Sequence, residues 1–307
     1  MRIRIATRGS ALARAQAMDV ARRLAQLGHM PELVLVATAG DVNAERTFTD
    51  IGAFGIFVRE LERALLDGRA DVAVHSYKDL PSRSPESLVI AAVPERLDAA
   101  DVLLVRAEAA DVTAPVFPVR AHARVGTSAA RRQALLAAAR PDLAMGLLRG
   151  NVPTRVRALL DDRFDAIVLA AAGLERLDRA QPSPIVPPQI VRARLDPRRF
   201  VPAPSQGAIA VQARLDAPRE LLAAVRAIDD PRTARTLRAE RGLLELAEAG
   251  CSLPFGAWCE AGARDALVLH TVLGRADGTL ARAVARGDDP DAVAAAAWAE
   301  LTSAVPA

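Results

Sequence analysis

The sequence predicts an α/β fold built from several domains. Short apolar runs typical of buried strands alternate with longer stretches whose apolar residues recur at helical spacing. At 307 residues, of which 51% are hydrophobic and 25% charged, the chain has the composition of a globular protein and the length of two or three domains. Two cysteines and four scattered histidines form neither a disulfide framework nor a metal-ligand spacing, so we expect no metal.

The first part of the chain predicts one α/β domain. Strand-like runs and helical patterns follow one another in the order strand 3–7, helix 11–27, strand 33–38, helix 57–66, strand 71–75 and strand 88–93. This order is typical of a sheet that carries helices on its faces.

A second series of the same kind predicts a second α/β domain. Its order is strand 101–105, strand 124–126, helix 129–139, strand 144–148, helix 152–160 and strand 166–169. A stretch rich in Pro and Arg, residues 181–204, then leads to a short strand at 208–213 that could return to the first domain. We find no internal repeat in the sequence.

The remainder of the chain predicts a smaller α+β domain. Two helices follow Pro218, strands are expected near 267–273 and 280–285, and an Ala-rich helix begins at about residue 291. The resulting domain prediction is residues 1–96 with 203–217, residues 97–202, and residues 218–307.

The charge pattern favours a small acidic ligand. The formal net charge is only +3, and the basic residues are interspersed with acidic ones instead of forming runs that bind nucleic acid or lipid head groups. The aromatic content of 3% leaves few platforms for stacking bases. The first residues alternate like a strand and lack the apolar core of a signal peptide, so we expect a cytoplasmic protein that binds neither nucleic acid nor membrane.

Lys78 is the only lysine among the 40 basic residues, and Asp79 follows it directly. An ammonium is a compact point charge, whereas a guanidinium is a flat fork, so position 78 is predicted to need an ammonium. A lysine left by chance in an Arg-rich chain is the alternative. Asp79-Leu80-Pro81 is also an ordinary turn-forming sequence, so the residues by themselves leave both a catalytic and a structural role open for Asp79.

Three predicted helix starts carry polar and basic residues. Ser10 can cap the helix that follows Arg8-Gly9, and Thr127-Ser128 opens another helix in the same way. Arg131 and Arg132 lie in the first turn of that second helix, where cations are unfavourable by roughly 0.3 to 1 kcal/mol unless an anion offsets them. The third start, after Arg149-Gly150, has Arg155 nearby. Together these starts favour a site for several carboxylates or for phosphate over a solvated surface.

These residues belong to a collinear series of blocks that resembles a known family. The blocks are Arg4-Ile5-Ala6-Thr7-Arg8-Gly9-Ser10, Val74 to Pro81, Gly126-Thr127-Ser128 before Arg131-Arg132-Gln133, Leu148-Arg149-Gly150-Asn151, Leu169 to Leu177, and Glu248-Ala249-Gly250-Cys251-Ser252-Leu253-Pro254. Over nearly its whole length the chain resembles the porphobilinogen deaminases, also called hydroxymethylbilane synthases. The resemblance implies two alike domains of periplasmic-binding-protein type and a smaller third domain.

The resemblance also implies an activity and a set of site residues. Family members are transferases that join four porphobilinogen molecules head to tail into hydroxymethylbilane and release ammonia, a step of porphyrin biosynthesis. They act as monomers and carry a dipyrromethane cofactor, held here by a thioether to Cys251. Asp79 matches the catalytic aspartate, where a carboxylate can stabilise an azafulvenium-like cation. The cofactor-binding positions match Ser76, Lys78, Thr127, Ser128, Arg131, Arg132 and Arg155, and the substrate-binding positions match Arg8, Ser10, Arg149 and Arg176.

Some positions depart from the family pattern and keep other functions open. Polar or basic residues expected of the family are replaced by Ala39, Asp50, Phe54, Ala100 and Ala129. Each lost contact could weaken binding of a polyanion. A non-catalytic module that binds a carboxylate or oxyanion, with Cys251 structural, and a weakly active paralogue are therefore the alternatives.

Overall fold

The computed structural model describes residues 1–36, 53–114, 116–247, 253–263 and 266–303, with the backbone alone for residues 53–57. Within these ranges the chain forms two compact units, residues 1–97 with 207–234 and residues 98–206 with 235–307. The predicted division into three domains stays a prediction.

The strands, in chain order, are β1 (Arg2–Arg8), β2 (Met30–Val36), β3 (Val72–Ser76), β4 (Leu88–Ala92), β5 (Asp101–Arg106), β6 (Arg124–Gly126), β7 (Ala144–Gly146), β8 (Ala166–Ala170), β9 (Ile190–Arg194), β10 (Ile209–Arg214), β11 (Phe255–Ala261), β12 (Leu267–Gly274) and β13 (Leu280–Gly287). The helices are α1 (Ala11–Gln26), α2 (Ala53–Leu66), α3 (Ala130–Ala139), α4 (Val152–Leu160), α5 (Ala171–Ala180), α6 (Arg219–Arg226), α7 (Pro231–Leu246) and α8 (Pro290–Ser303).

The first unit is built on a five-stranded sheet with the order β2-β1-β3-β10-β4. β1 is parallel to β2 and β3, whereas β10 runs antiparallel to β3 and β4. The strand predicted at 208–213 therefore does return to the first sheet. Ile3 and Ile5 of this sheet are fully buried, and α1 packs Val20 and Leu24 against them.

The second unit contains a five-stranded sheet with the order β7-β6-β8-β5-β9. β6 is parallel to β7 and β8, and β5 runs antiparallel to β8 and β9. The spatial order is thus the same in both sheets: three parallel strands lie side by side, an antiparallel strand comes next, and a further strand forms the edge. The predicted α/β class with two alike sheets is confirmed by this topology.

Matching registers extend the likeness to individual residues. Ile5 pairs with Val72 in the first sheet, and Val125 pairs with Ala166 in the second. The residues just before these pairs form the same contacts: the Arg4 backbone N–H donates to Asp71 Oδ2 at 2.7 Å, and the Arg124 N–H donates to Asp165 Oδ2 at 2.8 Å.

The guanidinium of Arg4 also binds the Asp71 carboxylate, and the guanidinium of Arg124 also binds the Asp165 carboxylate. The structure thus contains a repeat that was not predicted from the sequence. The contacts that the two copies share involve only a few scattered residues within apolar strands of similar composition.

A three-stranded antiparallel sheet with the order β11-β12-β13, covered by α8, forms the C-terminal part of the second unit. Glu240 on α7 is fully buried and accepts from the backbone N–H groups of Ser205 and Cys259 at 2.7 and 2.8 Å. β11 lies close to the chain at Val201 and Pro202, because a Cβ at Gly256 would lie 2.9 Å from both carbonyl oxygens. The predicted smaller α+β part is confirmed as a sheet with helices.

Three elements were not predicted from the sequence. β9 falls in the stretch read as rich in Pro and Arg, because an edge strand with alternating exposed arginines has little apolar signal. β11 contains Gly256 and small residues, which disguise a buried strand. α5 lies within a block quoted only for its family likeness. The helix predicted at 57–66 begins at Ala53. Residues 37 and 38 of the strand predicted at 33–38 lie outside the described residues.

The Arg124–Asp165 contact gives a prediction about pH and stability. Hydrogen bonds from Arg124 lower the pKa of Asp165 against the effect of burial. A lowered folded pKa contributes stability that is present above about pH 4 and is lost as the pH falls through the folded value. Asp165→Asn should lower the free energy of unfolding by about 1 to 2 kcal/mol at pH 7, because Arg124 is half exposed and screened.

Urea unfolding at a series of pH values measures this. The difference from wild type should shrink below about pH 4, and Asp216→Asn, at an exposed carboxylate, serves as control. A pH-independent difference would contradict this account.

Candidate active site

The carboxyl ends of β1 and β3 bring one set of predicted residues together. The two strands are parallel neighbours, so their carboxyl ends lie at the same edge of the first sheet. Arg8 ends β1, and Ser10 caps α1 by accepting from the Ala13 N–H at 3.3 Å, as predicted. Ser76 ends β3, where Gln16 Nε2 on α1 donates to its Oγ at 2.7 Å. Because Gln16 occupies an acceptor position of Ser76, the Ser76 hydroxyl proton can be donated elsewhere.

Lys78 and Asp79 lie on a single 3-10 turn, Tyr77–Asp79, immediately after β3. Both side chains are half-buried, and the next residue, Leu80, is buried in a small apolar cluster with Val58 and Ala210. The Tyr77 N–H donates to the Ala208 carbonyl at 3.1 Å, and the Leu80 N–H donates to the Tyr77 carbonyl at 3.2 Å. A cation and a carboxylate are therefore presented together by a turn with fixed ends.

A second set lies at the carboxyl ends of β6, β7 and β8. These three strands are parallel, so their ends share one edge of the second sheet. Thr127 and Ser128 follow β6, but Ala129 holds the N-cap position of α3, and its methyl group cannot accept a hydrogen bond. The predicted Ser128-type cap is therefore wrong. Thr127 Oγ1 instead accepts from the Ala129 N–H at 3.3 Å.

Arg131 and Arg132 converge on one buried carboxylate. Asp101, the first residue of β5, is 0% exposed, and each arginine is 5% exposed. Arg131 Nη2 lies 2.8 Å from Asp101 Oδ2, and Arg132 Nη2 lies 2.7 Å from Asp101 Oδ1. Gln206 Nε2 donates to the same Oδ1 at 2.9 Å. We refer to Asp101, Arg131, Arg132 and Gln206 as the Asp101 cluster.

The Asp101 cluster retains a positive charge. Burial alone would raise the pKa of Asp101, but the two guanidiniums and the Gln206 amide outweigh it and hold that pKa well below its ordinary value. Burial lowers the pKa of Arg131, opposed by Asp101. Among the residues that the structure describes, one carboxylate thus faces two guanidiniums. An added anion would complete the neutralisation, since a buried charge is costly without a partner.

Each guanidinium of the cluster is also fixed by the backbone. Arg131 Nη1 donates to the Val201 carbonyl at 2.7 Å, and its guanidinium lies 5.9 Å from the centre of the Phe200 ring. Arg132 Nη1 donates to the Val168 carbonyl at 3.0 Å. The predicted anion beside these arginines is therefore supplied in part by the protein itself.

The other predicted arginines of this edge differ in exposure. Arg149 follows β7 and is exposed. Arg155, on α4, donates from Nε to the Gly150 carbonyl at 2.7 Å, and Asn151 caps α4 through the Thr154 N–H at 2.9 Å. Arg176, on α5 after β8, is 6% exposed. The arginines at this edge of the sheet thus range from exposed to buried.

Cys251 lies outside the described residues, as do Ala39 and Asp50, and the side chain of Phe54 is also outside them. The other cysteine, Cys259, is buried in β11. Ala100 is fully buried next to Asp101.

Known proteins resemble this chain over most of its length. Residues 3–221 match the family model described as porphobilinogen deaminase, dipyromethane cofactor binding domain. The porphobilinogen deaminase of Oceanobacillus iheyensis is 38% identical over 295 residues, which cover 95% of this chain and 91% of that protein. That of Moorella thermoacetica is 42% identical over 295 residues, covering 94% and 90%. The chain belongs to the porphobilinogen deaminase family.

The family assignment confirms the one made from the sequence and leaves the non-catalytic alternative unfavoured. The matched model describes the cofactor-binding domain and supports dipyrromethane as the cofactor. Among solved structures, the methionine-binding protein MetQ is 12% identical with a TM-score of 0.43, covering 74% of this chain and 89% of that one. Within the described residues, no helix is both long and apolar enough to cross a membrane.

Three polar residues of these edges were not predicted from the sequence. Asp101 and Gln206 hold the arginines, and Gln16 binds Ser76. Asp101 could have been predicted to have a partner, because it is the first residue of an apolar strand and an aspartate is rarely buried unless it is paired. No sequence signal distinguishes Gln16 and Gln206 from solvated amides.

The Asp101 cluster predicts a large effect from a small change. Asp101→Asn keeps the shape of the side chain but leaves two buried guanidiniums without a counter-charge. The free energy of unfolding should fall by roughly 3 to 5 kcal/mol. Asp98→Asn, at a more exposed carboxylate that binds Arg194, should cost at most about 1 kcal/mol. Chemical denaturation of both variants measures this, and equal losses would refute the importance of the buried carboxylate.

Proposed function

We propose that the protein is a hydroxymethylbilane synthase, which joins four porphobilinogen molecules head to tail and releases ammonia. The observation that carries the proposal is that a member of this family retains both the Lys78–Asp79 turn after β3 and basic side chains at the strand ends of both sheets. Porphobilinogen carries an acetate and a propionate, so its oligomers are polyanions that suit such edges.

The proposed carboxylate-binding residues form two sets. At the edge of the first sheet they are Arg8, Ser10, Ser76 and Lys78. At the edge of the second sheet they are Thr127, Ser128, Arg131, Arg132, Arg149, Arg155 and Arg176. The Asp101 cluster supports this assignment because its two guanidiniums exceed its one carboxylate by a unit charge. A carboxylate arm of the ligand would supply the missing counter-charge.

We assign the cofactor's attachment to Cys251, through a thioether. A thiolate is a strong nucleophile toward the electrophilic carbon of a deaminated pyrrole, and the resulting bond is permanent. The donor set fits a dipyrromethane, because an acidic cofactor complements the positive charge of the Asp101 cluster. When bound, this cofactor supplies the pyrrole carbon to which the first substrate is joined.

Asp79 is proposed as the catalytic residue. As ammonia leaves porphobilinogen, positive charge develops on the substrate, and a fixed carboxylate stabilises that charge and can accept the pyrrole N–H. Lys78, on the same turn, would bind a carboxylate arm and favour the ionised form of Asp79. We further propose that the protein acts as a monomer in the cytoplasm and binds neither nucleic acid nor membrane.

Cys251→Ser should abolish covalent attachment of the cofactor. The purified variant should give no colour with an aldehyde reagent for pyrroles, and the peptide that contains residue 251 should have its unmodified mass. Cys259→Ser, at the buried cysteine of β11, should retain both the colour and the modified peptide. Colour retained in Cys251→Ser and lost in Cys259→Ser would reassign the attachment.

Asp79→Asn should hold the cofactor but lose most turnover, because an amide cannot balance the developing positive charge. We expect kcat to fall at least roughly a hundredfold, measured as hydroxymethylbilane formed per cofactor-loaded protein. Asp67→Asn, at an exposed carboxylate in the same unit, should leave kcat unchanged. An Asp79→Asn enzyme with wild-type kcat would restrict Asp79 to turn formation.

A further inference from the structure

A buried chain of hydrogen bonds reaches the strand that precedes the Lys78–Asp79 turn. His75 Nε2, on β3, lies 3.0 Å from Gln212 Oε1 on β10. Gln212 Nε2 donates to Glu62 Oε1 on α2 at 3.2 Å. All three side chains are buried, and Gln212 is fully so. We refer to them as the His75 chain.

The direction of the bonds in the His75 chain follows from its members. The side-chain amide of Gln212 donates a hydrogen bond to Glu62. Its carbonyl oxygen therefore accepts a hydrogen bond from His75, which places the ring proton of His75 on Nε2. Burial lowers the pKa of His75 to about 4, against the effect of the Gln212 bond, so the ring is neutral at neutral pH. A neutral ring on the opposite face of β3 from Ser76 is suited to support the strand end and not to exchange protons with a ligand.

The second sheet shows that the fold itself does not need these polar groups. The matched registers make Leu169 the equivalent of His75 and Leu104 the equivalent of Gln212. Both leucines are buried, with 2% and 0% exposure. Because polar groups are costlier to bury than leucines, their presence in the first sheet alone points to a task that the second sheet lacks. One difference between the two sheet edges is the turn after β3, because Lys78 and Asp79 correspond to Ala172 and Gly173 in α5.

Helix α2 contacts the chain on both sides of that turn. Glu62 reaches His75, which lies before the turn, through Gln212. Val58, one helical turn earlier on α2, packs in the cluster that contains Leu80, which lies directly after the turn. The turn is therefore fixed to one face of α2 at each of its ends.

We propose that His75, Gln212 and Glu62 are positioning residues that hold the Lys78–Asp79 turn in its productive place against α2. This inference rests on the proposed role of Asp79. A catalytic group tolerates displacements of only about 0.5 Å, and a shift of about 1 Å can cost a hundredfold in rate. Hydrogen bonds fix direction as well as distance, whereas leucines in the same volume would allow the strand end to shift.

The proposal can be tested by replacing the buried polar residues beside the first sheet with leucine, the residue found at the equivalent positions of the second sheet. The triple variant His75→Leu, Gln212→Leu and Glu62→Leu replaces the whole chain of hydrogen bonds. We expect it to fold, to carry the cofactor and to keep the KM for porphobilinogen within about twofold, while kcat falls roughly tenfold to a hundredfold. The single variant His75→Gln keeps an N–H donor near the position of Nε2. It should therefore retain most of the wild-type kcat.

Two controls separate positioning from general loosening. Thr271→Val removes a buried hydrogen bond to the Ala283 carbonyl in the C-terminal sheet and should leave kcat unchanged. The ¹⁵N spectrum of the histidine rings should show His75 as the Nε2–H tautomer in wild type, and this signature should be lost in Gln212→Leu.

The proposal is wrong if the triple variant keeps the wild-type kcat, if it fails to fold, or if Thr271→Val loses as much rate. An unfolded triple variant would mean that the first sheet needs the polar chain for its fold. A wild-type protein that makes no hydroxymethylbilane would instead refute the proposed function, and the positioning role with it. If the wild-type enzyme makes hydroxymethylbilane and the triple variant has the same kcat, the positioning role alone is refuted.

Discussion

A single buried carboxylate shared by two guanidiniums organises the basic edge of the second sheet. Asp101 joins the start of β5 to the first turn of α3 and, through Gln206, to the segment that leads back toward β10. It permits two adjacent arginines to be buried at a helix start, where cations are otherwise unfavourable. Because one negative charge faces two positive ones, the arrangement is stable enough to exist and still attracts an anion. This residual charge is the physical basis for assigning carboxylate recognition to the second unit.

The chain uses one scaffold twice and varies the chemistry at its strand ends. Both sheets have the same strand order, and Arg4–Asp71 and Arg124–Asp165 fasten equivalent strand starts in the same way. At the opposite ends the two differ. β3 is followed by a turn with an ammonium and a carboxylate, whereas β8 leads directly into α5. The polar His75 chain lies beside the end of β3, and buried leucines occupy the equivalent positions beside β8, so this sheet architecture does not require the His75 chain.

Much of this could be predicted from the sequence where the signal is local. Apolar runs fixed most strands, and Ser10 was recognised as a cap because N-caps act within one helical turn. The buried environment of Arg131 and Arg132 could not be predicted, since Asp101 lies some thirty residues earlier and only the register of β5 beside β8 brings it to α3. Gln212 is more remote still from His75. Such contacts depend on topology, and a buried amide looks in a sequence like a solvated one. The assignment of Cys251 came from family likeness alone, and that residue lies outside the described residues.

We propose above all that this scaffold holds an acidic oligopyrrole, tethered by sulfur, while substrates are added to it. The most direct measurement is the intact mass of the wild-type protein, as purified and after incubation with limiting porphobilinogen. We expect an excess mass of one dipyrromethane at the start, followed by species heavier by successive single pyrrole units, up to four. A protein with the mass of the bare chain both before and after incubation would contradict this proposal.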